Sequence, residues 1–177
     1  MRYATEVIFI TVFCLSCSSA KPALTTPEHL NLDAFMGTWH EVARLPLNFE
    51  NNCVATSFLF RRKAPDAIRV ESFCWYKHIN GPMRKGVSNG YVKDMKYPGE
   101  LMVHFMGPIS YPYNVFYVAP DYKFAMLGSP DRRFLWILSR TLSPSKTEIE
   151  HLIKLAKANG FDDSNFIYPQ ESPYAPQ

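Results

Sequence analysis

The sequence predicts an all-β fold: an eight-stranded antiparallel up-and-down β-barrel with one C-terminal α-helix packed outside it. The first observation is a series of short apolar runs, separated at fairly even spacing by Asn, Asp, Pro and Gly, which is typical of β-sandwiches and barrels. Short connections between successive runs favour the up-and-down order. The runs lie at roughly 37–47, 53–61, 68–77, 84–93, 100–106, 113–119, 123–128 and 133–140.

Trp39 in the first run and Arg140 in the last are the second observation. A buried Trp needs a partner for its ring face and its indole N–H, and an Arg guanidinium over the ring supplies a cation–π contact. If the two side chains meet, the first and last strands are neighbours, so the sheet is a closed barrel that can hold one ligand. We expect Trp39 and Arg140 to form a structural plug at one end.

The third observation is a change of period after the last run. Ser143 followed by Pro144 offers a helix start, and Ser145 with Glu148 matches a capping box, so two starts remain open. Apolar residues then recur at helical spacing up to a stop at residues 159–160. Residues 165–168 are compatible with a short returning edge strand. The apolar positions of the helix are Ile149, Leu152, Ile153 and Ala156.

Residues 1–20 have the pattern of a signal peptide, with an apolar core at 7–15 that is too short to span a bilayer. Cleavage before Cys17 leaves an N-terminal Cys that can be lipidated, although the preceding Leu stands at −2 instead of −3. Cleavage after Ala20 follows the small-x-small rule and predicts a soluble periplasmic or secreted protein instead. Both alternatives remain open, and both predict an exported protein. An acyl group on its N-terminus would anchor such a protein to a membrane without a transmembrane helix.

The remaining chain is long enough for one domain. We expect residues 21–33 to be a tether that ends in a short helical turn capped by Asn31 or Asp33. Residues 34–169 form the folded domain and residues 170–177 a frayed tail. The net charge of +3 comes without a dense Lys/Arg stripe, so no nucleic-acid partner is expected.

Catalytic and cofactor motifs are not found in the sequence. It contains no nucleophile elbow, zinc-binding HExxH, P-loop or dinucleotide fingerprint, and its five His residues are scattered. We therefore predict no enzyme, no metal site and no cofactor. Cys53 and Cys74 are the candidate nucleophiles of the exported domain, and a disulfide between them would silence both.

Cys53 and Cys74 stand in two apolar runs that flank a turn at 63–66. Pairing these runs as a hairpin brings Cys53 close to residues in the mid-seventies, and export permits oxidation. We predict a cross-strand Cys53–Cys74 disulfide.

Three segments carry a resemblance to a known family. Residues 37–44 (GTWHEVAR) resemble the first signature of lipocalins, residues 113–125 are similar to the second conserved block, and residues 135–140 (LWILSR) are similar to the third. The three occur in order at suitable spacing, and the resemblance extends over about residues 31–168. The sequences of these segments are most similar to those of bacterial outer-membrane lipocalins, with apolipoprotein D and plant temperature-induced lipocalins as relatives.

The resemblance implies a barrel with an open mouth that admits small hydrophobic ligands. It implies a fatty acid or lysophospholipid as the partner, and attachment to the outer membrane through a lipid on Cys17. The expected function is therefore binding, storage or transport of such ligands at the cell envelope, by a monomer or a homodimer. A surface protein-interaction module and a lipocalin-type enzyme remain the alternatives, in that order.

Ligand contacts are expected from side chains that point into the barrel, because side chains alternate in and out along each strand. Trp39 and Arg140 set this alternation for the first and last strands, and Trp75 is the alternative to Tyr76 in the third. Loops at 48–52, 77–84 and 109–111 are candidates for the mouth. The predicted ligand-binding residues are Ala43, Leu45, Ala55, Ser57, Tyr76, Val92, Phe105, Tyr113, Val115, Tyr117, Trp136 and Leu138.

Overall fold

The computed structural model describes residues 22–104, 109–162 and 164–170, and its eight strands form one closed antiparallel barrel. Each strand pairs with the next along the chain, and the first strand also pairs with the last, so the predicted fold is confirmed. The strands are β1 (Gly37–Arg44), β2 (Cys53–Arg62), β3 (Ala67–Tyr76), β4 (Met83–Val92), β5 (Glu100–His104), β6 (Ser110–Val118), β7 (Phe124–Gly128) and β8 (Leu135–Ser139).

Helix α1 (Leu32–Phe35) closes the end of the barrel at which β1 begins. The Asn31 side chain caps it by accepting hydrogen bonds from the backbone N–H groups of Asp33 and Ala34. Leu32 and Phe35 are buried in the barrel interior. We call this end the base, and the opposite end, where β1 leads through a short 3₁₀ turn at Asn48–Glu50 into β2, the rim.

Residues 22–30, expected to be part of a tether, instead lie along the outside of the barrel from rim to base. Near the rim, the Arg132 guanidinium donates a 2.6 Å hydrogen bond to the Pro22 carbonyl, and Asn114 on β6 donates one to Leu24. At the base, the backbone N–H of Asn31 donates to the Tyr122 hydroxyl. The Leu24 side chain is buried, so this segment is part of the folded domain.

Helix α2 (Lys146–Ala158) packs against the outer wall of the barrel. Ser145 is its N-cap, and a reciprocal capping box with Glu148 selects this start over the one at Ser143. Leu152 and Ala156 are the fully buried positions of its apolar stripe. The C-terminal return is a single antiparallel bridge between Ile167 and Arg44. Among the residues described, no helix has the length and apolar character that crossing a membrane requires.

Two β-bulges reverse the alternation of side chains within their strands. One lies between Glu41 and Ala43 in β1, so Ala43 pairs with outward-facing Ile137, and Arg44 pairs with inward-facing Trp136. An extra residue in one strand exchanges the inner and outer faces beyond it. The predictions that Ala43 and Leu45 face the ligand are therefore wrong, because both pack in the outer core under α2.

The second bulge lies between Val115 and Tyr117 in β6. It sets Tyr117 opposite Met126, which faces the outer core, so the prediction of an inward Tyr117 is also wrong.

Strand β2 has the opposite alternation to the one expected for Ala55 and Ser57. Phe58 pairs with inward Trp39, which turns both predicted residues outward. The Ser57 hydroxyl hydrogen-bonds to the ring of His40 at 3.0 Å, and Ala55 lies in an apolar cluster with Leu59. Period-2 alternation alone does not say which set faces inward, and in β2 the pairing with Trp39 decides it.

Cys53 and Cys74 form the predicted disulfide, with their Cα atoms 5.3 Å apart. The bond links the rim ends of β2 and β3 and therefore holds two strands at the mouth of the barrel together. A bulge between Cys53 and Ala55 accommodates the offset pairing.

Candidate functional site

A narrow apolar cavity occupies the middle of the barrel. The space free of atoms, including its opening, amounts to about 510 Å³, but only about 50 Å³ of it can hold the centre of a water-sized molecule. The cavity is therefore a slot that is not much wider than a single chain of carbon atoms. Apart from two serines its lining is apolar and aromatic: Phe58, Phe60, Val70, Ser72, Ser88, Leu101, Val103, Tyr113, Leu127, Trp136 and Leu138.

Trp136 is the centre of an aromatic group on one wall of this cavity. Its ring packs edge-on against Phe58 at 6.3 Å between centroids and lies 5.4 Å from Tyr113. Burial raises the pKa of Tyr113 above its ordinary value, so the phenol is neutral. This wall consequently presents uncharged ring surface to whatever enters the cavity.

A second, more polar cleft opens at the rim and adjoins the cavity, since Phe58 and Ser72 line both. We call it the vestibule. Arg84 lies here with its guanidinium carbon 3.5 Å from the centroid of the Tyr76 ring. Its lining is Asn48, Phe49, Glu50, Asn51, Asn52, Cys53, Thr56, Phe58, Ser72, Cys74, Tyr76, Arg84, Lys85 and Gly86.

Glu41, Arg44 and Glu50 form a buried charged cluster between the vestibule and the wall of β1. The Arg44 guanidinium donates to the Glu41 carboxylate at 2.7 Å and lies 3.5 Å from that of Glu50. It also donates to the backbone carbonyl of Glu50 at 2.9 Å, and Trp136 donates its indole N–H to the Glu50 side chain. Arg44 therefore attaches the β1–β2 connection, which forms part of the rim, to the barrel wall.

The cluster holds two carboxylates but one cation, and it is buried away from water. Desolvation, reinforced by the charge of Glu50, raises the pKa of Glu41 to about 8 against the opposing effects of Arg44 and Thr56. Desolvation also raises the pKa of Glu50. One proton retained on the carboxylates makes the cluster electrically neutral at neutral pH.

We predict that Glu41→Gln becomes more stable relative to the unmodified protein as pH rises. Between pH 4.5 and 8 the folded protein retains a proton at Glu41 that the unfolded chain releases. The contribution of Glu41 to the free energy of unfolding therefore falls with rising pH, by up to about 1.4 kcal/mol per unit. Chemical denaturation from pH 5 to 8 measures the difference, with exposed Glu150→Gln as the control. Parallel curves for Glu41→Gln and the unmodified protein would contradict the prediction.

The base is closed by the predicted pair of Trp39 and Arg140. The guanidinium carbon lies 3.7 Å from the centroid of the fully buried Trp39 ring, and the indole N–H donates to the Phe35 carbonyl at 2.8 Å. Arg140 donates further hydrogen bonds of 2.6–3.0 Å to backbone carbonyls of β1 and α1, those of Thr38, Ala34, Phe35 and Met36. Burial lowers the pKa of Arg140 to about 10, and the side chain remains charged at neutral pH.

Replacing Arg140 with alanine is expected to lower the melting temperature by roughly 5–10 °C without changing ligand affinity. The guanidinium joins α1, β1 and β8 at the base, whereas the cavity opens at the rim. Arg140→Lys keeps the charge but loses the planar fork, so we expect an intermediate melting temperature. A thermal melt and a ligand titration of the same samples measure both quantities. A folded Arg140→Ala protein that no longer binds ligand would contradict the assignment.

The predicted ligand-binding residues are thus divided between the two faces of the barrel. Tyr113, Trp136 and Leu138 line the cavity, Val92 and Val115 belong to the interior core, and Tyr76 lies in the vestibule. Ala43, Leu45, Ala55, Ser57 and Tyr117 face outward, whereas Phe105 and Cys17 lie outside the described residues.

Sequence reasoning missed several lining residues and all three members of the charged cluster as functional positions. The inward face of β2 could have been found by identifying Phe58 as the cross-strand partner of inward-facing Trp39, because one known inward residue fixes the alternation of the whole strand. Glu41 and Arg44 stand three positions apart, a spacing that reaches the same face only through a bulge. The missed apolar residues are Phe58, Phe60, Val70, Leu101 and Leu127.

Metal or thiol chemistry has no site in the described part of the chain. No group of three or more His, Cys, Asp or Glu residues is placed there to hold a metal ion. Cys53 and Cys74 are joined as a disulfide, so neither provides a thiolate.

A closed eight-stranded barrel with one apolar cavity and an external helix has the architecture of barrels that enclose a single small ligand. The family model described as a lipocalin-like domain matches residues 30–171, and the chain belongs to this family. This membership is consistent with binding of a small hydrophobic ligand.

Similar proteins come from bacteria and plants. The outer membrane lipoprotein Blc of Escherichia coli K12 is 29% identical over 170 residues, covering 95% of this chain and 94% of that protein. Temperature-induced lipocalin-1 of Arabidopsis thaliana is 30% identical over 166 residues, covering 89% and 88%.

Solved structures agree in fold. Insecticyanin from the tobacco hornworm Manduca sexta superposes with a TM-score of 0.65 at 24% identity, covering 88% of this chain and 90% of that chain. Lobster apocrustacyanin A1 superposes with a TM-score of 0.64 at 16% identity, covering 80% and 79%.

Proposed function

We propose that this protein binds single-chain lipids, fatty acids or lysophospholipids, for storage or transport at the cell envelope. The observation that carries the proposal is a narrow apolar cavity that shares two lining residues, Phe58 and Ser72, with a polar vestibule at the rim. An amphiphile with one acyl chain matches this division, with the chain in the cavity and the head group in the vestibule.

The dimensions of the cavity favour one flexible chain. Because only about 50 Å³ of the cavity can hold the centre of a water-sized molecule, its narrow bore disfavours fused rings and paired acyl chains. Each buried CH₂ contributes about 0.8 kcal/mol before the entropy costs of binding. A long acyl chain therefore gains useful affinity from apolar lining alone.

The vestibule offers a cation to a head group. Exposed Arg84 suits a carboxylate or a phosphate. A fatty acid and a lysophospholipid would both use this contact.

Export and attachment to the outer membrane form part of the proposal. Residues 1–20 have the pattern of a signal peptide, and Cys17 is a candidate for acylation. Similar proteins of Escherichia coli and Vibrio cholerae are named outer membrane lipoproteins. The Cys53–Cys74 disulfide agrees with an oxidising compartment. We expect the mass of the denatured exported protein to include an acyl modification on Cys17.

A displacement titration with a fluorescent fatty acid tests the ligand class. Saturated fatty acids of increasing length, a lysophospholipid, a two-chain phospholipid and a planar fused-ring compound serve as competitors. We expect affinity to rise with chain length to a plateau, the lysophospholipid to compete, and the two-chain and fused-ring compounds to compete weakly. Equal competition by the fused-ring compound, or none by any acyl compound, would contradict the proposal.

A further inference from the structure

We propose that the rim of the barrel docks onto a lipid bilayer, so that the mouth of the cavity faces the membrane. The rim comprises the connections at 45–52, 77–82, 109 and 129–134 and the strand residues next to them. The inference rests on the proposed lipid ligand for its purpose, but the surface itself is defined by exposure, charge and the course of the chain.

Large apolar side chains are exposed around the mouth on three separate connections. Phe49 lies in the connection after β1, and Met83 is the first residue of β4. Ile109 precedes β6, and Tyr111 is the second residue of that strand. Between 40 and 59% of each of these four side chains is exposed. Apolar side chains that surround an opening form a ring that can enter the head-group region together, and Tyr is favoured at that depth.

The charges at the rim complement an anionic lipid surface. Lys77, Arg84 and Arg133 are exposed there. Among the described rim residues the carboxylates are Glu50, which is buried, and Asp131, which pairs with Arg133. Anionic lipids attract such an excess of cations within about a Debye length of the membrane.

The course of the chain brings the candidate anchor to the same end. The Pro22 carbonyl is fixed at the rim by its hydrogen bond from Arg132, and the chain runs from there to the base. Cys17 precedes Pro22 by five positions, which span at most about 18 Å of extended chain. An acyl group on Cys17 would therefore keep the rim, not the base, near the bilayer.

Docking in this orientation has a direct consequence for the ligand. The vestibule opens at the rim with exposed Phe49 in its lining, so a lipid leaving a bilayer docked there enters the vestibule without first crossing bulk water. The rim is then a docking surface that shortens exchange between membrane and cavity.

Vesicle sedimentation tests the surface in a background that cannot be acylated at the candidate anchor. The exported Cys17→Ser protein is mixed with vesicles of equal parts phosphatidylcholine and phosphatidylglycerol. Met83→Ser/Ile109→Ser removes two rim side chains, and Met95→Ser/Leu142→Ser removes two similarly exposed ones at the base. We expect the rim variant to lower the partition coefficient by about tenfold and the base variant to leave it unchanged.

Two results would overturn docking: equal partitioning of the rim and base variants, or no vesicle binding by the Cys17→Ser background. Fatty-acid affinity in solution is measured on the same proteins, because neither Met83 nor Ile109 lines the cavity or the vestibule. Loss of vesicle binding with full fatty-acid affinity supports docking. Failure to bind fatty acid by every variant would contradict the proposed function while rim-dependent vesicle binding still supports the surface.

Discussion

Arg44→Leu is expected to lower the free energy of unfolding by about 3–5 kcal/mol. The substitution removes the one cation of the buried cluster and leaves the Glu41 and Glu50 carboxyl groups without a compensating positive charge. It also frees the backbone carbonyl of Glu50, which accepts from Arg44 at 2.9 Å. Most of the expected loss comes from the uncompensated buried charge, because the intact pair itself adds little net stability.

Denaturant titration of Arg44→Leu beside Arg62→Leu measures this effect against a matched surface pair. Arg62 pairs with Asp33 at 3.0 Å, but the Asp33 side chain is 78% exposed, so we expect a loss below about 1 kcal/mol. Because burial already raises the pKa values of Glu41 and Glu50, acidification toward pH 5 protonates them and restores part of the stability of Arg44→Leu. Equal losses for the two variants, or a deficit that grows on acidification, would contradict the account.

Ser88→Phe is expected to weaken fatty-acid binding by about a hundredfold. The added ring occupies space that would otherwise hold roughly four CH₂ groups of the acyl chain. Ser88 lies on β4 and is one of two serines in the cavity lining. The barrel loses no interior contact in this variant, so we expect it to remain folded. Binding should fall through a shorter accessible cavity and not through unfolding.

Val87→Phe is the matched control, because Val87 is the preceding residue on β4 and is exposed on the outer face. We expect its affinity for fatty acids to equal that of the unmodified protein. Fluorescence displacement with short and long fatty acids checks both variants, and Ser88→Phe should retain more of its affinity for the short ones. Full affinity for long chains in Ser88→Phe would mean that the acyl chain lies elsewhere.

The barrel could be predicted from sequence because its strand ends are marked locally by turn residues. The disulfide followed from the hairpin that joins β2 and β3, so short-range information was enough there. Closure needed a signal from distant parts of the chain, the pair of Trp39 and Arg140, which the structure bears out at 3.7 Å.

The lining of the cavity was harder to predict because a single inserted residue exchanges the faces of a strand. The bulge before Ala43 moved Arg44 into the barrel and Ala43 out of it, and no turn or glycine marks this bulge in the sequence. The charged cluster was missed for a second reason: Glu and Arg are rarely fully buried unless paired, and their pairing partners could not be identified from the sequence. Glu50, in the rim connection, meets Arg44 only through the tertiary fold.

Native mass spectrometry of the exported protein, purified without detergent, tests the central claim that the barrel holds a single-chain lipid. We expect a bound species with the mass of one fatty acid or lysophospholipid per barrel, and its loss in Ser88→Phe but not in Val87→Phe. An empty barrel that also takes up no added fatty acid would contradict the lipid-binding account and favour a protein-interaction module built on the same fold.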